Sequence, residues 1–253
     1  MKMLIQNKET FKRVLFWSSM VICPLLIGCR DRFDDYYNRG IDHLKNGEYD
    51  QAISCFDKAL EINPRHADAY NNRGVAYGNK GGYDQAISDY NKAIEINPRL
   101  AMAYNNRGTA YNAKGQHDQA ISDFTKAIEI NPKYVEAYKN RGLAYYHKGQ
   151  YDMVISDYTK AIEINPRYAE AYNNRGVAYY LKGRYDMVIP DYNKAIEINP
   201  RYAQAYKNRA IAYYHKGEYD KAWEDVHKAQ SLGHQIHPEF LKKLREDSGR
   251  ESP

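Results

Sequence analysis

The sequence predicts an all-α fold of six stacked helix pairs followed by a capping helix, and three observations carry that prediction. The dipeptide Asn-Pro recurs at Asn63, Asn97, Asn131, Asn165 and Asn199, 34 residues apart each time. Between successive Asn-Pro pairs lie two stretches in which apolar or small residues fall three and four apart, the spacing of one helical stripe. The 26 tyrosines among 253 residues are an excess that points to one structural unit copied along the chain.

Residues 1–28 read as a targeting segment outside the fold. A basic stretch ends in Lys12 and Arg13, and the apolar run 14–28 that follows contains Pro24. That run is shorter than the ~20 residues a spanning helix needs. It closes with Leu26, Ile27, Gly28 and Cys29, which resembles the lipobox of bacterial lipoproteins. The resemblance implies a signal peptide cut before Cys29 and acylation of that cysteine, several acyl chains holding stably where one anchors only marginally. It places the chain in the bacterial cell envelope as a lipid-anchored membrane protein. Because Arg30 and not Asp follows the cysteine, the outer membrane, facing the periplasm, is the expected location. Cys23 leaves with the leader and Cys55 is left alone, so neither a disulfide framework nor a cysteine metal cage can form. Cys55 is expected to be an inert surface thiol.

The leader also holds Lys2 and Lys8 against Glu9, which leaves 33 basic and 31 acidic side chains in the remainder. A balance so close to neutral, spread evenly, gives no electrostatic footprint for nucleic acid.

Counted from Ala67 as position one, the repeats run 33–66, 67–100, 101–134, 135–168, 169–202 and 203–236 without a linker. The first helix of a repeat carries Tyr70, Gly74 and Tyr77 on one stripe, and Gly81 and Gly82 make the turn after it. Asp84 is then expected to cap the second helix, as are Asp50, Asp118, Asp152, Asp186 and Asp220 in the other copies. Ala86, Ile87, Tyr90, Ala93 and Ile94 form the stripe of the second helix. It stops at Asn97, because a residue preceding proline is driven out of the helical region.

An aromatic at position four, Gly at eight, Tyr at eleven, Ala at twenty, an aromatic at twenty-four, Ala at twenty-seven and Pro at thirty-two resemble the tetratricopeptide repeat family, over residues 33–236. The resemblance implies an α-α superhelix, a solenoid with a concave groove lined by the first helices. The bottom-up counterpart is that one helix pair cannot bury its own stripe, so stacking is required. Several departures are readable. Arg39, Arg73, Arg107, Arg141, Arg175 and Arg209 occupy position seven, where Leu is common. Their stems can pack while their heads reach acids such as Asp89 or Asp123. Pro190 should cost a second helix one hydrogen bond. In the segment 237–253, Phe240, Leu241 and Leu244 form the apolar side of a capping helix, and the polar residues from Glu246 onward should fray.

No Gly-rich phosphate loop, His-Glu-x-x-His, Cys-x-x-Cys or nucleophile elbow is present, so no cofactor, metal, small-molecule substrate or catalytic role is expected. His234 and His237 beside Glu239 read as solvated loop residues. Position six stands out instead: Asn38, Asn72, Asn106, Asn140, Asn174 and Asn208 keep one poor helix former in every copy. Two readings account for them: hydrogen bonds between stacked repeats, or a ladder of amides offered to a peptide backbone. The resemblance supports the ladder, since some peptide-binding members carry Asn there. Tyr146, Tyr180 and Tyr214 with His147 and His215 make repeats four to six the expected selective region. A clamp for a terminal carboxylate fits badly, because position nine is apolar or Thr in every copy. The expected function is a non-catalytic scaffold or adaptor that holds other proteins or peptides in its groove. A pilotin-like lipoprotein, a scaffold for cell-wall hydrolases and an accessory repeat subunit of an enzyme complex are the alternatives.

Overall fold

The computed structural model describes residues 32–249, so the leader, Cys29 and the last four residues lie outside it. Thirteen helices and no strand occur among the described residues. They are α1 (32–45), α2 (Tyr49–Ile62), α3 (Ala67–Asn79), α4 (Tyr83–Ile96), α5 (Ala101–Ala113), α6 (His117–Ile130), α7 (Val135–His147), α8 (Tyr151–Ile164), α9 (Ala169–Leu181), α10 (Tyr185–Ile198), α11 (Ala203–His215), α12 (Tyr219–Ser231) and α13 (Pro238–Ser248). The chain divides into two compact units, one ending at Lys114 with α5 and the other beginning at Gly115 and holding α6 to α13. Within each unit every helix packs on the one before it. First helices of adjacent repeats also touch, α3 on α5 in the first unit and α9 on α11 in the second.

Local chemistry sets the helix ends. Gly81 lies at φ 83°, a left-handed value that an L side chain resists, and it ends α3. Asn97 leaves α4 in extended geometry, and its Oδ1 accepts the backbone N–H of Arg99 at 3.1 Å, closing a side-chain turn. The same turn follows Asn63, Asn131, Asn165 and Asn199. The expected aspartate caps are corrected by the structure. α4 begins one residue before Asp84, its N-cap is Gly82, and no side chain caps it. Asp84 instead sits in the first turn, where an acid complements the helix dipole, and accepts from Lys114 of the next repeat at 2.5 Å. Asp50, Asp118 and Asp152 pair in the same way with Lys80, Lys148 and Lys182.

Packing within a repeat turns on position eight. A Cβ placed on Gly74 would lie 2.7 Å from the Tyr90 ring, and one on Gly142 would lie 3.1 Å from the Tyr158 ring. The missing side chain is the notch that lets the two helices close on an aromatic. Repeat six has Ala210 in that place, and there the opposing residue is Val226 and not a ring; both are fully buried. Position seven carries the polar counterpart. Arg73 donates to both Asp89 oxygens at 2.8 and 2.6 Å and to Asp57 of the preceding repeat at 2.5 Å. This bonding to Asp89 raises the pKa of the guanidinium above its ordinary value. Arg141, Arg175 and Arg209 make equivalent forks to Asp157, Asp191 and Asp225, with Thr125, Thr159 and Asn193 as the partners from the repeat before.

Cys55 and the residues from Glu246 onward differ from expectation, whereas Pro190 does not. Cys55 is buried on α2 and is not a surface thiol. Pro190 lies inside α10 without ending it, since the ring is exposed and only one amide is lost. Glu246, Asp247 and Ser248 are helical. They are tied down by the Tyr214 hydroxyl donating to Asp247 at 2.5 Å and by Trp223 Nε1 donating to Ser248 at 3.2 Å. α13 covers the end of repeat six with buried Leu244 and half-buried Phe240 and Leu241, against Tyr206, Trp223 and Val226. His237, at its start, accepts the Glu239 backbone N–H through Nδ1.

Gly142→Leu should overfill the notch and cost about 1–3 kcal/mol or more, read as a fall in the urea midpoint. An unchanged midpoint would show that the notch is not a tight contact. A second expectation concerns pH. Burial raises the pKa of Tyr90, Tyr158 and Tyr192, that of Tyr158 to about 12 from an ordinary 10. A folded-state pKa raised in this way gives stability that is fully present below pH 10 and is lost as pH rises through about 12. In an alkaline titration followed by tyrosinate absorbance, part of the signal should therefore appear together with loss of helicity.

Candidate functional site

Positions two, six, nine and thirteen of a first helix lie four, seven and eleven residues along from one another, so they share one face. That face is indented in both units. In the second unit an open depression of about 410 Å³ has an apolar floor of Leu143, Val154, Tyr158 and Val177, with Tyr146 at its side. Asn173, Asn174, Gln204 and Asn208 complete it with amides. In the first unit a depression of about 340 Å³ holds Asn106, Val75, Thr109, Asn79 and Ala113 from the corresponding positions.

Four of the six position-six asparagines, Asn72, Asn106, Asn174 and Asn208, are not free amides in front of solvent. Asn208 donates to Asn173 Oδ1 at 2.9 Å, Asn173 donates to Asn174 Oδ1 at 3.0 Å, and Asn174 donates to the Tyr158 hydroxyl oxygen at 3.2 Å. The first unit repeats the relay, with Asn106 to Asn71 at 3.0 Å, Asn71 to Asn72 at 3.2 Å and Asn72 to the Tyr37 hydroxyl oxygen at 3.0 Å. Asn140 is half-buried, and Asn38 is exposed. Each relay therefore runs between repeats, which is the stitching reading of these residues. An amide has two N–H donors and an oxygen with two lone pairs, so Asn174 keeps one of each for a ligand. The links the sequence reading missed are at position five, where Asn71, Asn105 and Asn173 are buried in three repeats. Their signal was the switch at that position between Asn and the Lys of Lys139 and Lys207.

The five aromatic residues separate into four settings. Tyr146 is exposed and borders the depression together with exposed Leu143. His147 stacks on His117 with centroids 5.1 Å apart. Tyr180 packs on Tyr185 and on His215, both at 5.6 Å. Tyr214 is claimed by the terminal helix, through Asp247 and through Phe240 at 5.5 Å. Of the five, Tyr146 is the one that lines the depression with the amides.

No carboxylate, imidazole, thiol or amine lines the depression of the second unit. Its one buried titratable group, the Tyr158 hydroxyl, is pushed up to about 12 by burial and stays protonated at neutral pH. Among the described residues no cluster of three or more His, Cys, Asp or Glu is arranged to hold a metal ion. The chemistry on offer is hydrogen bonding and apolar contact.

Family models described as the tetratricopeptide repeat match residues 37–101, 101–134, 124–155, 169–202 and 191–224, and a TPR repeat model matches 142–183. No curated protein matches the chain. Among solved structures it is similar to MamA, at 29% identity over 69% of this chain and 95% of that one, with a TM-score of 0.60. It is similar to YrrB, described as a TPR protein with an unusual peptide-binding site, at 25% identity over 70% and 91%, with a TM-score of 0.59. A Pseudomonas aeruginosa pilF structure aligns at 22% identity over 81% and 90%, with a TM-score of 0.69, a likeness of fold alone.

Asn174→Ala tests the relay. It removes the acceptor of buried Asn173, at a cost of about 1–3 kcal/mol. That outweighs the roughly 0.5 kcal/mol gained in helix propensity. The variant should therefore be less stable in urea than the parent, while exposed Asn38→Ala should change stability by less than about 0.5 kcal/mol. Unaltered or higher stability of Asn174→Ala would show that the relay contributes nothing to stacking.

Proposed function

We propose that this chain, which belongs to the tetratricopeptide repeat family, is a non-catalytic adaptor whose first-helix groove binds an extended segment of another protein. The observation that carries the reading is the depression of the second unit. Exposed Leu143 and Tyr146 stand there beside Asn174, Gln204 and Asn208, with no group suited to acid, base or nucleophilic work. Apolar side chains supply affinity, and the spare amide N–H and oxygen sites suit a peptide backbone, which presents one donor and one acceptor per residue. The peptide-binding site ascribed to YrrB supports the same use of the fold.

Each net hydrogen bond contributes only about 1 kcal/mol. Ordering a flexible peptide costs a comparable sum. Binding is therefore expected with a Kd on the order of micromolar. The partner we propose is an envelope protein, because Leu26, Ile27, Gly28 and Cys29 form the box from which we infer acylation of Cys29. A lipid anchor would confine the adaptor to a membrane surface and raise its effective concentration toward partners there.

A photo-crosslinking residue at Leu143 in intact cells should trap a discrete partner, and one at exposed Ser156 on α8 should not. In the Cys29→Ser background lipidation should be blocked and the processed protein lost from the membrane fraction. Equal crosslinking from both positions would sink the groove reading, and unaltered processing and membrane association of Cys29→Ser would sink the anchor.

A further inference from the structure

We infer that the groove of the second unit takes a segment in which a Lys or Arg stands beside a large apolar residue. The cation meets Glu170, and the apolar side chain enters the depression between Leu143, Tyr146 and Val177. The inference rests on the groove reading above and adds the chemistry of the partner.

Glu170, Asn174 and Val177 are spaced i, i+4 and i+7 on α9, so the carboxylate shares the helix face that borders the depression. The equivalent acid one repeat earlier, Glu136, is already neutralised by Lys139 at 2.5 Å. Glu170 is exposed and accepts the Tyr168 hydroxyl at 3.3 Å, and among the described residues no Lys or Arg pairs with it. The next equivalent residue, Gln204, is uncharged and lines the depression itself.

The charge is felt in the depression. The Tyr158 hydroxyl, which lines it, is pushed up to about 12, by burial first and by Glu170 in addition. With no cation among the lining residues to offset it, an acidic segment would meet repulsion and a basic one attraction. The apolar floor asks for a bulky side chain next to that cation, because a polar one would give up its water there without a matching partner.

Random peptides displayed on phage and selected by the full chain, by Glu170→Lys and by Leu143→Asp test the proposal. Peptides selected by the parent chain should be enriched in Lys or Arg within two residues of Leu, Ile, Phe or Trp. A winning peptide should lose roughly two- to fivefold in affinity against Glu170→Gln, with the difference shrinking as salt is raised. Selection by Glu170→Lys should lose the basic enrichment. If winners need Leu143 but show no basic preference, or bind the parent and Glu170→Lys alike, the charge inference is overturned and the groove reading survives. If winners are also indifferent to Leu143→Asp, both are overturned.

Discussion

The aromatic ring at position twenty-four, seated where glycine at position eight has no Cβ, is the contact on which the rest of the stack hangs. At 2.7–3.1 Å from where a methyl would lie, Tyr90 and Tyr158 occupy space that any larger residue at Gly74 or Gly142 would take. That approach fixes the spacing of the two helices in a repeat. It also aims the far end of the ring at the next repeat, where the Tyr158 hydroxyl receives Asn174. One side chain therefore fills the core of its own repeat and anchors the polar relay of the next. Ala210 opposite Val226 shows the same constraint from the other side: a smaller partner at position twenty-four leaves room for a methyl at position eight.

Around this apolar contact the repeats are registered by polar groups. Arg73 joins three helices, bonding Asp89 on α4 and Asp57 on α2 from its place on α3, and its guanidinium lies 5.4 Å from the Tyr70 ring. A leucine at that position could pack but could not distinguish a correct stacking register from one slipped by a turn, whereas a fork with two directed acceptors can. The asparagine relay does the same on the neighbouring face. The surface that offers hydrogen bonds to a partner is thus also an inter-repeat seam, and its spare donors and acceptors are held in place before a ligand arrives.

The period, the helix pairs and their ends were legible because they depend on local chemistry: proline after Asn97, a left-handed glycine at Gly81, a three-and-four apolar stripe. The Arg73–Asp89 pairing was legible too, since both ends recur with the repeat. What the sequence hid was non-local. A helical wheel puts Asn174 on an outward face, but it does not show that the next repeat brings Asn208 against its neighbour Asn173, or that the preceding one brings the Tyr158 hydroxyl against Asn174 itself. Nor does it show that Tyr214 is taken by a terminal helix some thirty residues away. The cap expected of Asp84 failed by a single residue of helix start, which is enough to turn a capping side chain into a partner for Lys114.

The pattern of packing has a consequence for how the chain reaches its fold. Within each unit the extensive contacts join sequence-adjacent helices or first helices one repeat apart. Little chain entropy is lost before a contact is rewarded, the circumstance in which small proteins fold fastest. Because each pair is held chiefly by its neighbours, structure can grow outward from any pair that forms first, and on a ribosome the early repeats can assemble while later ones are still being made. The same connectivity lets a pulling force applied at the C-terminus be met one layer at a time, α13 giving way first and the paired helices behind it remaining closed.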